Sequence, residues 1–191
     1  MRSVAITGFA QVPSLRRDRE FDDVEIVQRV VREALEDAGL SQEDIGFTCS
    51  GSSDYLQGPP FAFVGVLDAL GAWPPVSESH VEMDGAWALY EAWVRLQLGD
   101  IDAALVYAFG RSSAGDLQDI LSMQLDPYTL APLWPDPISL AALQARSILD
   151  EGRYSEEDWA AVAERNRNSA MNNPMAQIQG SSPAYILMKE P

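Results

Sequence analysis

A single cysteine, a single histidine and a shortage of basic residues narrow what this chain of 191 residues can do. With Cys49 alone, neither an intramolecular disulfide nor a Cys-rich metal site can form. With His80 alone, a histidine-based metal cluster is excluded as well, and the reading assigns no metal. Thirteen Lys and Arg stand against 29 Asp and Glu, a formal charge of −16. Nucleic-acid binding needs clustered cations, and an anionic membrane surface attracts them too, so both partners are ruled out. The acidity reads as solubility. No apolar run approaches the roughly 20 residues of a membrane span. The start, Met1 to Ile6, has no signal-peptide core, so the expected location is cytoplasmic.

Apolar residues make up 47% of the chain, enough for one well-buried domain or a domain with a sub-domain. Val4-Ala5-Ile6-Thr7-Gly8 reads as a first strand and Gln11 to Glu20 as a surface loop. Asp22 or Asp23 caps a helix whose buried face is Val24, Val27, Val31, Ala34 and Ala38, stopped by Gly39. Ile45 to Cys49 reads as a second strand. Parallel pairing with a right-handed crossover is the default for such a unit. Ser50 to Pro60 is rich in Gly, Ser and Pro and reads as a loop. Phe61 to Leu70 reads as a short helix ended by Gly71.

The chain is organised around the stretch from His80 to Gly110. It reads as a short buried strand, a sharp turn, a helix and a second buried strand. Asp84 stands at the N-cap. Ala86, Leu89, Trp93 and Leu96 mark one helical face, and Ala103 to Phe109 fits a strand covered on both sides. The turn points backbone N–H groups outward, which makes it the expected place of an active site. After Arg111 the pattern changes. Ser112 to Pro137 has no period and carries four prolines. Two helices follow, one lined by Ile138, Ala141, Ala145 and Ile148, the other opening at Ser155 and carrying Trp159, Val162 and Ala163. Ala184 to Met188 reads as a closing strand. The expected organisation is therefore a core over 1–111, a loop and helical sub-domain over 112–180, and a closing strand within 181–191.

Leu98-Gly99-Asp100-Ile101-Asp102-Ala103-Ala104-Leu105-Val106 resembles the passage after the nucleophile in thiolases. Asn173-Pro174-Met175-Ala176-Gln177, with Gln144-Ala145-Arg146 and Glu151-Gly152, resembles the lipid-transfer, sterol-carrier-protein-X branch of that family. Glu33 to Leu40 is similar to the thiolase N-terminus. The resemblance covers Val4 to Gln177 and only the first half of a thiolase. It implies an α/β fold: a mixed five-stranded sheet with helices on both faces, plus a helical and loop insertion. The second half, with its catalytic histidine and second cysteine, is unmatched.

Thiolases place Cys-Ala-Ser-Gly at the strand-to-helix turn, where this chain has Glu82-Met83-Asp84-Gly85. Acyl transfer through a cysteine thioester is thereby disfavoured. The resemblance points instead to the aldolases that shorten steroid side chains as coenzyme A thioesters, which work with a partner carrying an OB fold and a zinc ribbon. It implies retro-aldol cleavage of a β-hydroxyacyl-CoA. Coenzyme A would belong to the substrate, with no permanently bound cofactor and a homo-oligomeric or hetero-oligomeric assembly. Two other readings stand beside it: a non-catalytic acyl-CoA-binding or scaffolding subunit, and a fragment of a longer thiolase-like acyltransferase.

Glu82 reads either as the general base, for which a tyrosine is the other candidate, or as a structural carboxylate at a helix entrance. Asp84 and Gly85 are the expected oxyanion or thioester contacts, with Asp84 equally a helix cap. His80, Met83, Tyr128 and Trp134 are candidates for the substrate pocket. Tyr128 and Trp134 read equally well as aromatic anchors of their loop. Arg16, Arg17 and Arg19 fit either the phosphates of coenzyme A or a solvated charge cluster.

Overall fold

The computed structural model describes residues 1–54, 61–71, 77–111 and 115–189. They fall into two compact units. The first comprises residues 1–12 and 17–116, the second residues 13–16 and 117–191.

The first unit is an α/β sandwich. Helix α1 spans Asp23–Ala38. Asp22 caps it: the Glu25 N–H donates to its carboxylate at 2.8 Å, and the Asp22 N–H donates to the Glu25 carboxylate at 2.9 Å. This reciprocal box satisfies two N–H groups that a bare helix end would leave orphaned. Gly39 closes the helix at a φ of 65°, a conformation that costs glycine nothing. Val27 and Val31 are its buried residues, flanked by the partly buried Val24, Ala34 and Ala38, as the periodicity predicts.

Three strands form one parallel sheet: β1 at Phe47–Ser52, β2 at Glu78–Glu82 and β3 at Ala104–Ala108, in the order β2-β1-β3. Between β1 and β2 lie α2, Ala62–Val66, and a 3-10 turn at Leu67–Leu70. Between β2 and β3 lies α3, Gly85–Leu98, so each parallel pair has its helical crossover. Alternation along β1 divides the core in two. Phe47 and Cys49 pack with Ala88 and Ala92 of α3 on one face. On the other, Tyr107 joins Val27, Val31, Val66, Ala69 and Leu70. The sheet is thus covered on both sides, which is why β1 is buried at every position.

Several expectations are corrected. Among the described residues the sheet has three strands, all parallel, where the resemblance implied a mixed sheet of five. Val4–Gly8 forms no strand. This segment is held by other means: Arg2 donates to the carbonyls of Leu96 and Ile101, and Gly8 lies against Ala34 and Ala38 of α1. Strand β1 runs on through Ser52, so Ser50 to Ser52 are sheet and not loop. Of the rest of that predicted loop, Ser53 and Asp54 are described and 55–60 lie outside the described residues. On α3 the buried residues are Ala88 and Ala92, whereas Leu89 is exposed. The helix approaches the sheet so closely that only its small side chains fit beneath it.

The second unit is helical: α4 at Leu117–Met123, α5 at Pro137–Asp150, α6 at Glu156–Ala170 and α7 at Ala184–Leu187. Asp136 caps α5 through the Ile138 N–H, and Ser155 and Asp158 form a capping box on α6. The predicted closing strand is α7 instead. A five-residue apolar run does not distinguish strand from helix by period. Here Pro183 stands at the helix entrance, and the Ala184 N–H donates to the Glu164 carboxylate at 3.2 Å. Among the described residues no helix is long and apolar enough to cross a membrane.

Candidate functional site

The register of the sheet sets three polar side chains in one row. Ser50 on β1 is paired with His80 on β2 and with Tyr107 on β3. All three therefore project from the same face. Ser50 Oγ lies 2.9 Å from His80 Nδ1, and the Ser50 hydroxyl is close enough to the Tyr107 phenol to favour its ionised form. At the outer end, His80 Nε2 lies 3.4 Å from Glu82 Oε2. The row runs from the core to solvent: Ser50 and Tyr107 are buried, His80 is largely covered, and the Glu82 side chain is 45% exposed. Burial pushes the Tyr107 phenol up to about 12, although the Ser50 hydroxyl acts in the opposite direction. A neutral Tyr107 is the consequence.

The imidazole is fixed on its flat face as well as at its nitrogens. Phe63 stacks on it with centroids 4.2 Å apart and planes 8° from parallel. Two tautomers fit the Ser50 contact, and only the second makes the Glu82 contact a hydrogen bond. Either Nδ1–H donates to Ser50 and the Nε2 lone pair faces Glu82, or Ser50 donates to Nδ1 and Nε2–H donates to Glu82. Glu82 is positioned from behind, because the Asp54 N–H donates to Oε1 at 2.9 Å. The Asp54 carboxylate in turn accepts from the Phe61 and Ala62 N–H groups at 2.5 and 2.9 Å.

The strand-to-helix turn follows directly. The Met83 N–H donates to the Ser52 and Val81 carbonyls, both at 3.0 Å, and the Met83 side chain is exposed. Asp84 is the cap of α3: its carboxylate accepts from the Ala86 and Trp87 N–H groups at 3.0 and 3.2 Å. These two donors are therefore committed within the chain. Gly85 supplies the next backbone N–H at this turn, and its missing side chain has a packing cause. A Cβ there would stand 2.8 Å from the Ala108 Cβ. Gly51 on the neighbouring strand is tighter still, with the Asp84 carbonyl oxygen 2.4 Å from where its Cβ would be. Two glycines thus let β1, β3 and the turn meet.

Of the residues singled out from sequence, the structure brings His80, Glu82, Met83, Asp84 and Gly85 together. Tyr128 and Trp134 belong to the second unit, where both are exposed. Arg16 belongs to the second unit, and Arg17 and Arg19 to the first. Sequence reasoning missed Ser50, Ser52, Asp54 and Tyr107. Ser50 and Ser52 were hidden in a Gly/Ser stretch that resembled a loop, and Tyr107 in an apolar run. Only the pairing register reveals that they share a row. Cys49 stands apart from this row. It is wholly buried on the opposite face of the sheet, and burial, with the Glu91 charge, pushes its thiol up to about 11.

Fold and site together define an α/β unit that carries an acid–imidazole–hydroxyl row beside a strand-to-helix turn. No protein-family model matches this chain, and no curated protein matches it.

Proposed function

We propose that this chain is a subunit of a carbon–carbon lyase that cleaves a β-hydroxyacyl-CoA thioester by a retro-aldol step, without a cysteine nucleophile. The observation that carries the reading is the Ser50–His80–Glu82 row ending at the turn where thiolases, which the chain resembles, hold their cysteine. Glu82, the exposed member, accepts the proton of the β-hydroxyl and relays it to His80 Nε2, whose Nδ1–H donates to Ser50. The Cα–Cβ bond then breaks. The hydroxyl carbon leaves as a carbonyl, and the bond's electron pair forms the enolate of the shortened thioester. The Gly85 N–H is the donor at the turn for the enolate oxygen. The proton returns through Glu82 to the α-carbon and releases the product. The 3.4 Å gap between Nε2 and Glu82 closes in the substrate complex, as catalytic hydrogen bonds commonly do.

The same reading makes the first unit part of a thiolase-like half with a larger sheet, assembled with further copies and with an OB-fold and zinc-ribbon partner. Steroid side-chain thioesters are the substrate class it favours. A second reading, a non-catalytic acyl-CoA-binding or scaffolding subunit, draws on Trp87, Leu89 and Tyr90, which leave an apolar face of α3 exposed.

One assay separates them. The protein, alone and with the partner, is incubated with a β-hydroxyacyl-CoA, and acetyl-CoA or propionyl-CoA is measured. Release that falls about 10²–10⁴-fold in Glu82→Gln supports the lyase, the range expected for loss of a general base. Undiminished release in that variant removes Glu82 from the mechanism. Acyl-CoA binding with no release under either condition establishes the binding subunit.

A further inference from the structure

Asp54, His80 and Glu82 each offer a ligand atom, and these atoms all lie within 4.8 Å of one another. We propose that they bind one divalent transition-metal cation of the zinc or manganese class, with Ser52 Oγ as a further contact. The single histidine excludes a cluster of histidines, but it does not exclude a mixed site in which carboxylates complete the set.

The spacing of the atoms is the first argument. His80 Nε2 and Glu82 Oε2 are 3.4 Å apart, long for a charge-assisted hydrogen bond, which spans about 2.7–2.9 Å. Two ligands each about 2.1 Å from a tetrahedral zinc are about 3.4 Å apart. No two of these atoms are more than 4.8 Å apart, so a shift of about 0.7 Å in each of two side chains brings even the widest separation to that of a tetrahedral site.

The surroundings of the ligands are the second argument. A metal-bound imidazole nearly always donates its other N–H to a protein acceptor. Ser50 Oγ stands at that position, 2.9 Å from Nδ1, and Phe63 holds the ring plane. Both carboxylates are oriented by backbone donors: Glu82 by the Asp54 N–H, and Asp54 by the Phe61 and Ala62 N–H groups. An ionised carboxylate has about four acceptor positions, so each keeps room for an ion.

The third argument is independent of these. Ser52 is 2% exposed, and its Oγ has no hydrogen-bond partner among the described residues. Buried hydroxyls are almost always satisfied. Ser52 is the register partner of Glu82 and lies on the same face of β1 as Ser50. Its side chain therefore projects from the face of the sheet that carries His80 and Glu82, where a cation would satisfy the oxygen. One imidazole with two carboxylates selects zinc, manganese or iron over magnesium and calcium, which prefer all-oxygen shells. The ion and a proton compete for the same Nε2 lone pair, so metal binding is read directly and needs no turnover.

The test is titration of the chelator-treated full-length protein with Zn²⁺ alone by calorimetry, and with Co²⁺ alone by visible absorption. One ion per chain is expected, with affinity lowered at least tenfold in His80→Gln and in Glu82→Gln, as for loss of a ligand. Glu43→Gln, an exposed carboxylate elsewhere, should bind as wild type. Far-UV circular dichroism checks that the variants are folded, and Glu82→Gln, whose side chain faces solvent, keeps the test open if His80→Gln does not fold. Absence of stoichiometric uptake by the wild type overturns the proposal. So does equal uptake by both ligand variants. Because no thioester is present, metal uptake is read whether or not the protein cleaves one, so failure of the lyase reading in its own assay leaves the metal site standing.

Discussion

Replacing Gly51 by alanine probes the junction on which the whole site depends. The added Cβ would stand 2.4 Å from the Asp84 carbonyl oxygen, 2.5 Å from its carbon and 2.8 Å from the Gly85 nitrogen. Ordinary contact begins near 3.4 Å, so the two backbones must part by about 1 Å. All three atoms are main chain, and no rotamer change relieves the clash. Overpacking in a close-packed interior costs about 1–3 kcal/mol, occasionally more, and a backbone-on-backbone clash belongs at the upper end. A loss of about 3 kcal/mol is a large part of the 5–15 kcal/mol typical of a domain. In a unit of this size it lowers Tm by about 10–20 °C. Urea unfolding followed by far-UV circular dichroism and tryptophan emission measures it, since Trp87 and Trp93 lie on the helix that must move. Gly65→Ala is the control: nothing stands within 4 Å of that Cβ, and inside α2 the change should be neutral or stabilising by about 0.5–1 kcal/mol. A Gly51→Ala protein within about 0.5 kcal/mol of wild type would refute the argument that glycine at this position is a packing requirement.

Stability should fall at high pH. The Tyr107 phenol titrates near 12 when folded and near 10 when unfolded. The native state therefore holds the extra proton between these values, and stability present below pH 10 is lost as pH rises towards 12, by roughly 2–3 kcal/mol. Denaturation curves of Tyr107→Phe should show that component missing. The Cys49 thiol, buried and pushed up to about 11, should react with a thiol reagent at least about 100-fold more slowly in native than in denatured protein, because the thiolate is the reactive form; rapid native labelling would contradict its burial. Asp22→Ala removes the acceptor of the α1 capping box and should cost about 1 kcal/mol in chemical denaturation, with Asp22→Asn recovering most of it.

Local chemistry made much of the fold legible. The α1 face, its Asp22 cap and its Gly39 stop follow from spacing and capping preference, and so does the strand, turn, helix and strand around Asp84. What failed was non-local. Val4–Gly8 has strand-like composition, but a strand exists only where a neighbour offers a ladder, and here Arg2 and Gly8 tie the segment down instead. Ala88 and Ala92 are buried where the spacing favours Ala86, Leu89, Trp93 and Leu96, because amphipathic spacing counts hydrophobicity and not clearance. The site divides in the same way. His80 and Glu82 are two apart on one strand, so their shared face is visible from sequence. Ser50 and Tyr107 join them only through the pairing of three strands far apart in the chain.

That pairing has a kinetic side. The central strand β1 precedes both of its neighbours in the chain, and its partners begin at Glu78 and Ala104. Among the described residues no hairpin is available to nucleate the sheet, because parallel neighbours must wait for their crossovers. Helix α1 can form early, but Ser50 acquires its full set of partners only after the chain through Tyr107 has left the ribosome. Until β2 emerges β1 exposes two unpaired edges, and until β3 emerges it exposes one. Long-range parallel pairing of this kind is intrinsically slow and leaves edges open to aggregation, so the last step in building the sheet is also the step that assembles the row of side chains across it.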